Sequence, residues 1–543
     1  MHRLRRLFVC IFLISTLISA RQLQAASHRE SSYDVVVYGA TASGAMAAIA
    51  AAREGMHVIL LEPGNHVGGM LTGGLSATDV GNPNVIGGEA LEFFQRLGRY
   101  YDMQQYGQKV SWRFEPHVGE EILRSMLQDA KVEVRFHERM REKDGVKKSD
   151  GRIISLTTQD GDVWKGKVFI DATYEGDLMA AAGVSFAWGR EGVAKYGESL
   201  AGVRAETPGH QFNFKLSAYG ADGKLLPEIS PVPMAPPGSA DHEVQAYNFR
   251  LILTQDPANR IPFPKPENYN PHEYQLLANY IHGFQKQYGR PPRLNELTNP
   301  VGIPNHKADF NNNGPFSTDY IGKDWTFPNA SYAQRKAIWQ DHIDYTQGFF
   351  YFLGHDPQVP AQLRKEVNTW GLAKDEFTDT NHWPFQLYIR ESRRMVGEYV
   401  MTQKDVQTGR TKLDAIGMGS YNIDSHNFER VVTSDGSVQN EGNTEVPVQP
   451  YQIPYSILVP KPHQVSNLLV PVCVSASHVA YSSLRLEPQY MIMGQAAGVA
   501  ASMAARTDIP VQDVDINTLQ EKLLRGGVIL DLPAPALRNA FAQ

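Results

Sequence analysis

Residues 33–62 read YDVVVYGATASGAMAAIAAAREGMHVILLE, and this stretch decides the fold. Asp34–Tyr38 is an unbroken apolar run after its first residue, the pattern of a strand covered on both faces of a parallel sheet. Ser43–Glu54 is rich in Ala and poor in polar residues, which predicts a buried helix. Val58–Leu61 is a second apolar strand. Strand, helix and strand in about thirty residues make a βαβ unit.

The turn between the first strand and the helix is Gly39-Ala40-Thr41-Ala42-Ser43-Gly44. It keeps the first and last glycines of the G-x-G-x-x-G pattern and puts Thr41 at the middle one. The first glycine permits the tight turn, and the last lets helix and sheet pack closely. Thr41 crowds the approach of a pyrophosphate to the backbone, although its hydroxyl offers a donor to a phosphate. The helix N-terminus at Ser43 supplies free N–H groups and positive potential. Glu62 closes the second strand eighteen residues after Gly44, where an acid binds the ribose hydroxyls of a dinucleotide. The bland alternative is an ordinary βα turn followed by a surface Glu.

Working outward, Val168–Ala172 is another buried strand, and Leu468–Val474 is apolar again. Met493–Ala505 is a helix dominated by Ala and Gly. Fourteen prolines fall between Pro227 and Pro304, in a polar and aromatic stretch. Tyr332–Phe352 reads as a helix, and Pro384–Val406 contains another. The expected architecture is α/β: a Rossmann-like dinucleotide-binding domain formed by both chain ends, with an inserted α+β substrate or cap domain. The boundaries read as residues 33–200 and 441–543 for the two parts of the first domain, and 201–440 for the insert.

Arg3, Arg5 and Arg6 precede the apolar run Leu7–Ala20, and the small residues Ala25, Ala26 and Ser27 follow. This is the pattern of an export signal over residues 1–26, too short for a membrane span. The expected location is periplasmic or secreted, with no membrane span after signal removal; an uncleaved anchor is the alternative. Cys10 lies in that leader, which leaves Cys473 alone. A chain with one cysteine has no internal disulfide, CxxC pair or cysteine metal cage, which excludes a dithiol reductase. A net charge of −6 without any Lys/Arg-rich block argues against a nucleic-acid partner.

A βαβ unit alone does not choose between NAD and FAD. Three segments favour FAD. Gly68-Gly69-Met70-Leu71-Thr72-Gly73-Gly74 lets backbone lie against a flat ring or a pyrophosphate. Asp171-Ala172-Thr173-Tyr174-Glu175-Gly176-Asp177 follows a buried strand. Gly494-Gln495-Ala496-Ala497-Gly498 is read as opening the last helix, with its amides toward an anion or the flavin; close helix packing is the alternative. The pieces VVVYGATASG, GGMLTGGLS, IDATYEGDL, VQAYNFRLILT, RESRRMVGEYVM and SASHVAYSSLRLEPQYMIMGQAAGVAA resemble the bacterial exported FAD-dependent oxidoreductase family, which is distantly similar to fumarate reductase and heterodisulfide reductase flavoproteins. The resemblance spans Asp34 to Arg506. It implies FAD contacts at Gly39, Thr41, Gly44, Glu62, Gly68, Gly69, Met70, Asp171 and the segment from Gly494 through Gln495 and Ala497 to Gly498.

An alcohol or amine donor to flavin needs a base. His426, in Asn422-Ile423-Asp424-Ser425-His426, and His478, in Ser475-Ala476-Ser477-His478, are the candidates; each is equally suited to a structural hydrogen bond. Arg390, Glu391, Arg393 and Arg394 are read as one helix face, from which Arg390 or Arg394 holds a substrate carboxylate or flavin charge. A salt-bridged face is the alternative, and Arg485 and Glu487 invite the same pair of readings. Asp309-Phe310-Asn311-Asn312-Asn313-Gly314 resembles half a calcium loop, but its twelfth position is Tyr320, so no metal site is expected. His66 is a weak candidate for covalent flavin attachment. Outside the cytoplasm the electron acceptor is expected to be oxygen, a quinone or a cytochrome. The expected substrate is a small polar organic molecule, and the composition of the insert suits a sugar or sugar derivative. Two other readings stay open: redox-neutral, dinucleotide-assisted elimination or hydrolysis of a glycoside, and a non-enzymatic ligand-binding protein.

Overall fold

The computed structural model describes residues 29–532. The leader read in residues 1–26, with Cys10, lies outside the described residues. Strand β1 (Glu30–Tyr38) pairs in parallel with β2 (Val58–Glu62) on one side and β6 (Val163–Asp171) on the other. Beyond β2 lies β3 (Glu133–Phe136), also parallel. Beyond β6 the sheet turns antiparallel through β5 (Arg152–Thr157) and β4 (Val146–Ser149). The upper half of that β6 edge takes Leu468–Leu469 instead, so a C-terminal segment closes the N-terminal sheet. Helix α1 (Ala42–Arg53) connects β1 to β2, and all of its residues from Ala42 to Ala51 are buried. This is the Rossmann-like arrangement expected from residues 33–62.

The middle of the chain adds a five-stranded antiparallel sheet. Its strands are β7 (Leu251–Thr254), β8 (Arg260–Ile261), β9 (Thr298–Ile303), β10 (Lys307–Asn312) and β11 (Gly371–Ala373), in the order β9-β10-β7-β11-β8. Helices α2 (Gln275–Tyr288) and α3 (Tyr332–His355) accompany it. The chain then returns through α4 (His478–Leu484) and α5 (Glu487–Thr507). No helix among the described residues is long and apolar enough to cross a membrane.

Two expectations fail here. Pro384–Val406 is irregular until a short helix at Gln403–Gln407, and Arg394–Met395 is a strand paired with Phe186–Ala187. The charged quartet therefore does not lie on a helix face. Arg390 and Arg394 reach carbonyls of other segments (Ala246 for the first, Gly189 and Ala476 for the second), and these contacts hold the backbone open. The helix that carries these residues begins at Glu487, so Gly494, Gln495, Ala497 and Gly498 sit inside it, away from its N-terminus. Their amides belong to the helix ladder and are not free for an anion. A Cβ on Gly494 would come within 2.1 Å of the Ser43 carbonyl, and one on Gly498 within 2.2 Å of the Ala47 carbonyl. These glycines let α5 lie directly on α1.

Candidate active site and cofactor cleft

The three N-terminal loops of interest leave the sheet at one edge, the C-terminal ends of β1, β2 and β6, where ligands of open parallel sheets bind. Gly39 has φ of +96°, and a Cβ there would meet Thr173 at 2.8 Å. Gly44 lies so close to the Gly39 carbonyl and Ala172 that any side chain would clash. Thr41 caps α1: its Oγ1 accepts from Gly44 N at 3.2 Å and donates to Ala172 O at 2.7 Å. Its only proton is thereby taken by the turn, so the donor expected for a phosphate is not available. Ser43 Oγ, by contrast, is buried and has no partner in the protein. Glu62 accepts from Ala40 N at 2.7 Å and Gly64 N at 2.6 Å. Burial pushes its carboxyl up to about 7, against those two amides.

The glycine loop crosses the turn, with Gly68 N donating to Ala40 O at 2.7 Å. A Cβ on Gly69 would strike the Tyr174 hydroxyl at 2.6 Å. That hydroxyl accepts from Met70 N at 2.8 Å and donates to Glu487 Oε1 at 2.7 Å. It ties the glycine loop, the turn after β6 and the start of α5 together. Asp171 does not face the cleft. It is fully buried, accepting from Thr173 N and Oγ1 and from Met179 N. It organises the turn that presents Tyr174.

Beyond the loop lies the histidine pair. Gly73 packs on Gln386 and Gly74 on Arg250. Two residues past Gln386, the Tyr388 ring lies between two guanidinium groups, Arg390 at 4.7 Å and Arg485 at 5.8 Å from its centroid. Arg485 also donates to the Tyr388 hydroxyl and to Asp424. His426 Nδ1 lies 2.7 Å from Asp319 Oδ2, and its Nε2 is 4.0 Å from Asp424 Oδ1. Burial and the Arg390 charge push this imidazole down to about 4. His478 Nδ1 lies 3.1 Å from Glu391 Oε2, and its ring meets Phe428 edge-on. The buried Gln245 joins the two histidines: it accepts from His426 N at 3.2 Å and donates to Glu391 Oε2 at 3.1 Å. The two sites thus form one network.

The arginines separate. Arg394 is wholly buried, and all three guanidinium nitrogens are engaged, by Ala476 O, Gly189 O, Glu191 and Glu391. It fixes the carboxylates behind His478 and cannot also hold a substrate. Arg390 keeps free donors: Nε has no partner, and Nη2 lies 3.0 Å from Asp319 Oδ1 without hydrogen-bond geometry. Asp309 is on β10, held by Arg250 through two contacts of 2.8 Å, so its segment is a strand and not a calcium loop. His66 is held by Glu120 and stacks on Phe385. Sequence reasoning missed Tyr174, Gln245, Asp319 and Tyr388. Tyr174 stood inside a turn already singled out; the other three carry no local signal.

The family model described as FAD dependent oxidoreductase matches residues 34–523. The chain belongs to that family. Membership fixes the cofactor as FAD and the reaction class as oxidoreduction. Solved structures with partial likeness include the flavin-dependent brominase Bmp2, at 15% identity over 30% of this chain and 42% of that one, TM-score 0.23. The OxyS anhydrotetracycline hydroxylase of Streptomyces rimosus gives 15%, 33% and 41%, TM-score 0.23. The thioredoxin reductase of T. acidophilum gives 24%, 26% and 34%, TM-score 0.17. The chain spans less than half the length of each of these three. No curated protein sequence matches it.

The residues present fit FAD. The unpartnered Ser43 hydroxyl sits at the N-terminus of α1, where a pyrophosphate is stabilised by free amides. Each Glu62 oxygen accepts one amide and keeps a lone pair for a ribose hydroxyl. Gly68 and Gly69, both with positive φ, keep side chains off the ring's path.

Proposed function

We propose that this flavoenzyme oxidises a small polar organic substrate of the CH–OH type, with a sugar or sugar derivative as the leading class. When bound, FAD would supply the two-electron acceptor for oxidation of the alcohol to a carbonyl. His426 Nε2 would take the substrate's hydroxyl proton. The observation that carries this reading is the His426–Asp319 pair. A carboxylate on Nδ1 fixes the proton there and leaves Nε2 with a lone pair, as a general base requires. The low imidazole keeps His426 neutral at physiological pH. Arg390, whose Nε has no partner in the protein, supplies a charge-assisted hydrogen bond to a substrate oxygen. His478, oriented by Glu391, is the second polar group of the pocket.

The leader pattern supports a periplasmic or secreted enzyme. The electrons then leave to a separate acceptor, oxygen, a quinone or a cytochrome. The test is anaerobic bleaching of bound flavin against sugars, amines and hydroxy acids. Bleaching by a sugar, with reduction of an added dye in turnover, is the expected result. A sugar consumed without dye reduction would replace this reading with redox-neutral elimination. A colourless protein that takes up no FAD would leave only ligand binding.

A further inference from the structure

Glu487 is the first residue of α5, two positions after the Arg485 that reaches Tyr388 and Asp424. Its side chain turns the other way, into the space between the glycine loop and the turn after β6. It is 2% exposed. One oxygen, Oε1, accepts from Tyr174 OH; the other, Oε2, is buried and has no partner. Among the described residues no ion pair involves Glu487. A carboxylate in such a place has one hydrogen bond and no cation to offset its desolvation, so the neutral acid is the stable form. The hydrogen-bond directions agree. Tyr174 OH donates to Oε1, so that oxygen is the carbonyl, and the proton sits on Oε2.

Resting on the FAD reading above, we propose that Glu487 is a cofactor-contacting acid whose Oε2–H donates a hydrogen bond to FAD, beside the backbone of Gly69 and Met70. A carboxylic acid kept neutral by an apolar site can act as a donor. A Glu that merely tied elements together would have both oxygens engaged by the protein, as Asp171 has. Glu487 leaves its donor atom facing a place where the protein offers no acceptor. Ionising it would put an anion against the ring and change the flavin's spectrum.

The groups facing Glu487 permit a clean titration. Tyr174 comes from the turn after β6, and Tyr490 from the next turn of α5. Tyr481 on α4 and Cys473 lie behind Tyr490. Burial pushes all four well above their ordinary values, whereas Glu487 is pushed up to only about 8. Glu487 therefore ionises before any of them.

The experiment is an absorbance titration of the bound flavin in the holoenzyme, from pH 6 to pH 10. The wild type is expected to show a spectral transition near pH 8. Glu487→Gln, a neutral donor of similar shape, retains FAD and loses the transition, while Glu62 stays in place. Tyr174→Phe removes the one hydrogen bond that favours the carboxylate, so its transition moves to higher pH. A pH-independent wild-type spectrum, or a transition unchanged in both variants, would overturn the proposal while leaving the FAD reading intact. A wild-type protein that holds no FAD would overturn the FAD reading itself, and this one with it.

Discussion

Among the described residues, His426 and His342 on α3 are the two imidazoles that burial pushes down to about 4. For His426→Gln we expect bound FAD to be retained and kcat/KM to fall by about 10²–10⁴, the span of a lost general base. Stopped-flow bleaching with the identified substrate measures it; an unchanged rate would remove His426 from the chemistry. In the wild type the acid limb of kcat/KM should lie near pH 4 and not near the ordinary 6.5. The same two groups contribute to acid stability, against buried acids such as Glu62 and Glu487 whose raised values act in the opposite sense. The folded chain keeps the two histidines neutral, while the unfolded chain protonates them near 6.5. Below that pH these two sites bind more protons in the unfolded state, so their contribution is lost as pH falls from 6.5 towards 4. Each histidine contributes a slope of about 1.4 kcal/mol per pH unit inside that window. Urea midpoints at pH 7 and pH 5 test this. His342→Gln should raise the pH 5 midpoint relative to the pH 7 midpoint by comparison with the wild type, and an identical difference in the variant would refute the assignment. At this scale the sequence offered both His426 and His478, but it offered Arg394 on equal terms with Arg390. Only their surroundings separate an engaged guanidinium from one with free donors.

Among the elements, the contact of α1 with α5 is the most demanding, because backbone meets backbone at Gly494 and Gly498. For Gly494→Ala or Gly498→Ala we expect a loss of about 1–3 kcal/mol by denaturant melts, since the added methyl meets a carbonyl that cannot move aside. Gly302→Ala, with open space around it, should change stability by under about 0.5 kcal/mol. Equal effects at the two kinds of site would show that the helices are not in contact as described. Sequence patterning located α1, α3 and α5 because burial writes itself into runs of one composition. It failed over Pro384–Val406, where Arg, Glu and Tyr side chains are tied to distant carbonyls and carboxylates. Tertiary partners there override local propensity.

For the whole molecule, the cofactor cleft is assembled from distant parts of the chain: Gly39 and Glu62 from the N-terminal half, Tyr174 after β6, Glu487 from the return. Binding FAD therefore couples these parts. Protein stripped of flavin should gain about 2.7 kcal/mol when FAD is restored at a hundred times its Kd, seen as a rise in Tm; a Tm indifferent to FAD would speak against the site. The sequence by itself determined the βαβ unit, the turn at Gly39 and the acid at Glu62, because those depend on neighbours within thirty residues and on continuous burial. Only the tertiary structure decided that Thr41 and Asp171 serve the turns that carry them, and that Gly494 and Gly498 pack helices. It also decided that Gln245 joins His426 to His478 and that one oxygen of the buried Glu487 is left without a partner. Those assignments depend on which groups meet through space, and a side chain's chemistry changes once its hydrogen-bonding capacity is already engaged.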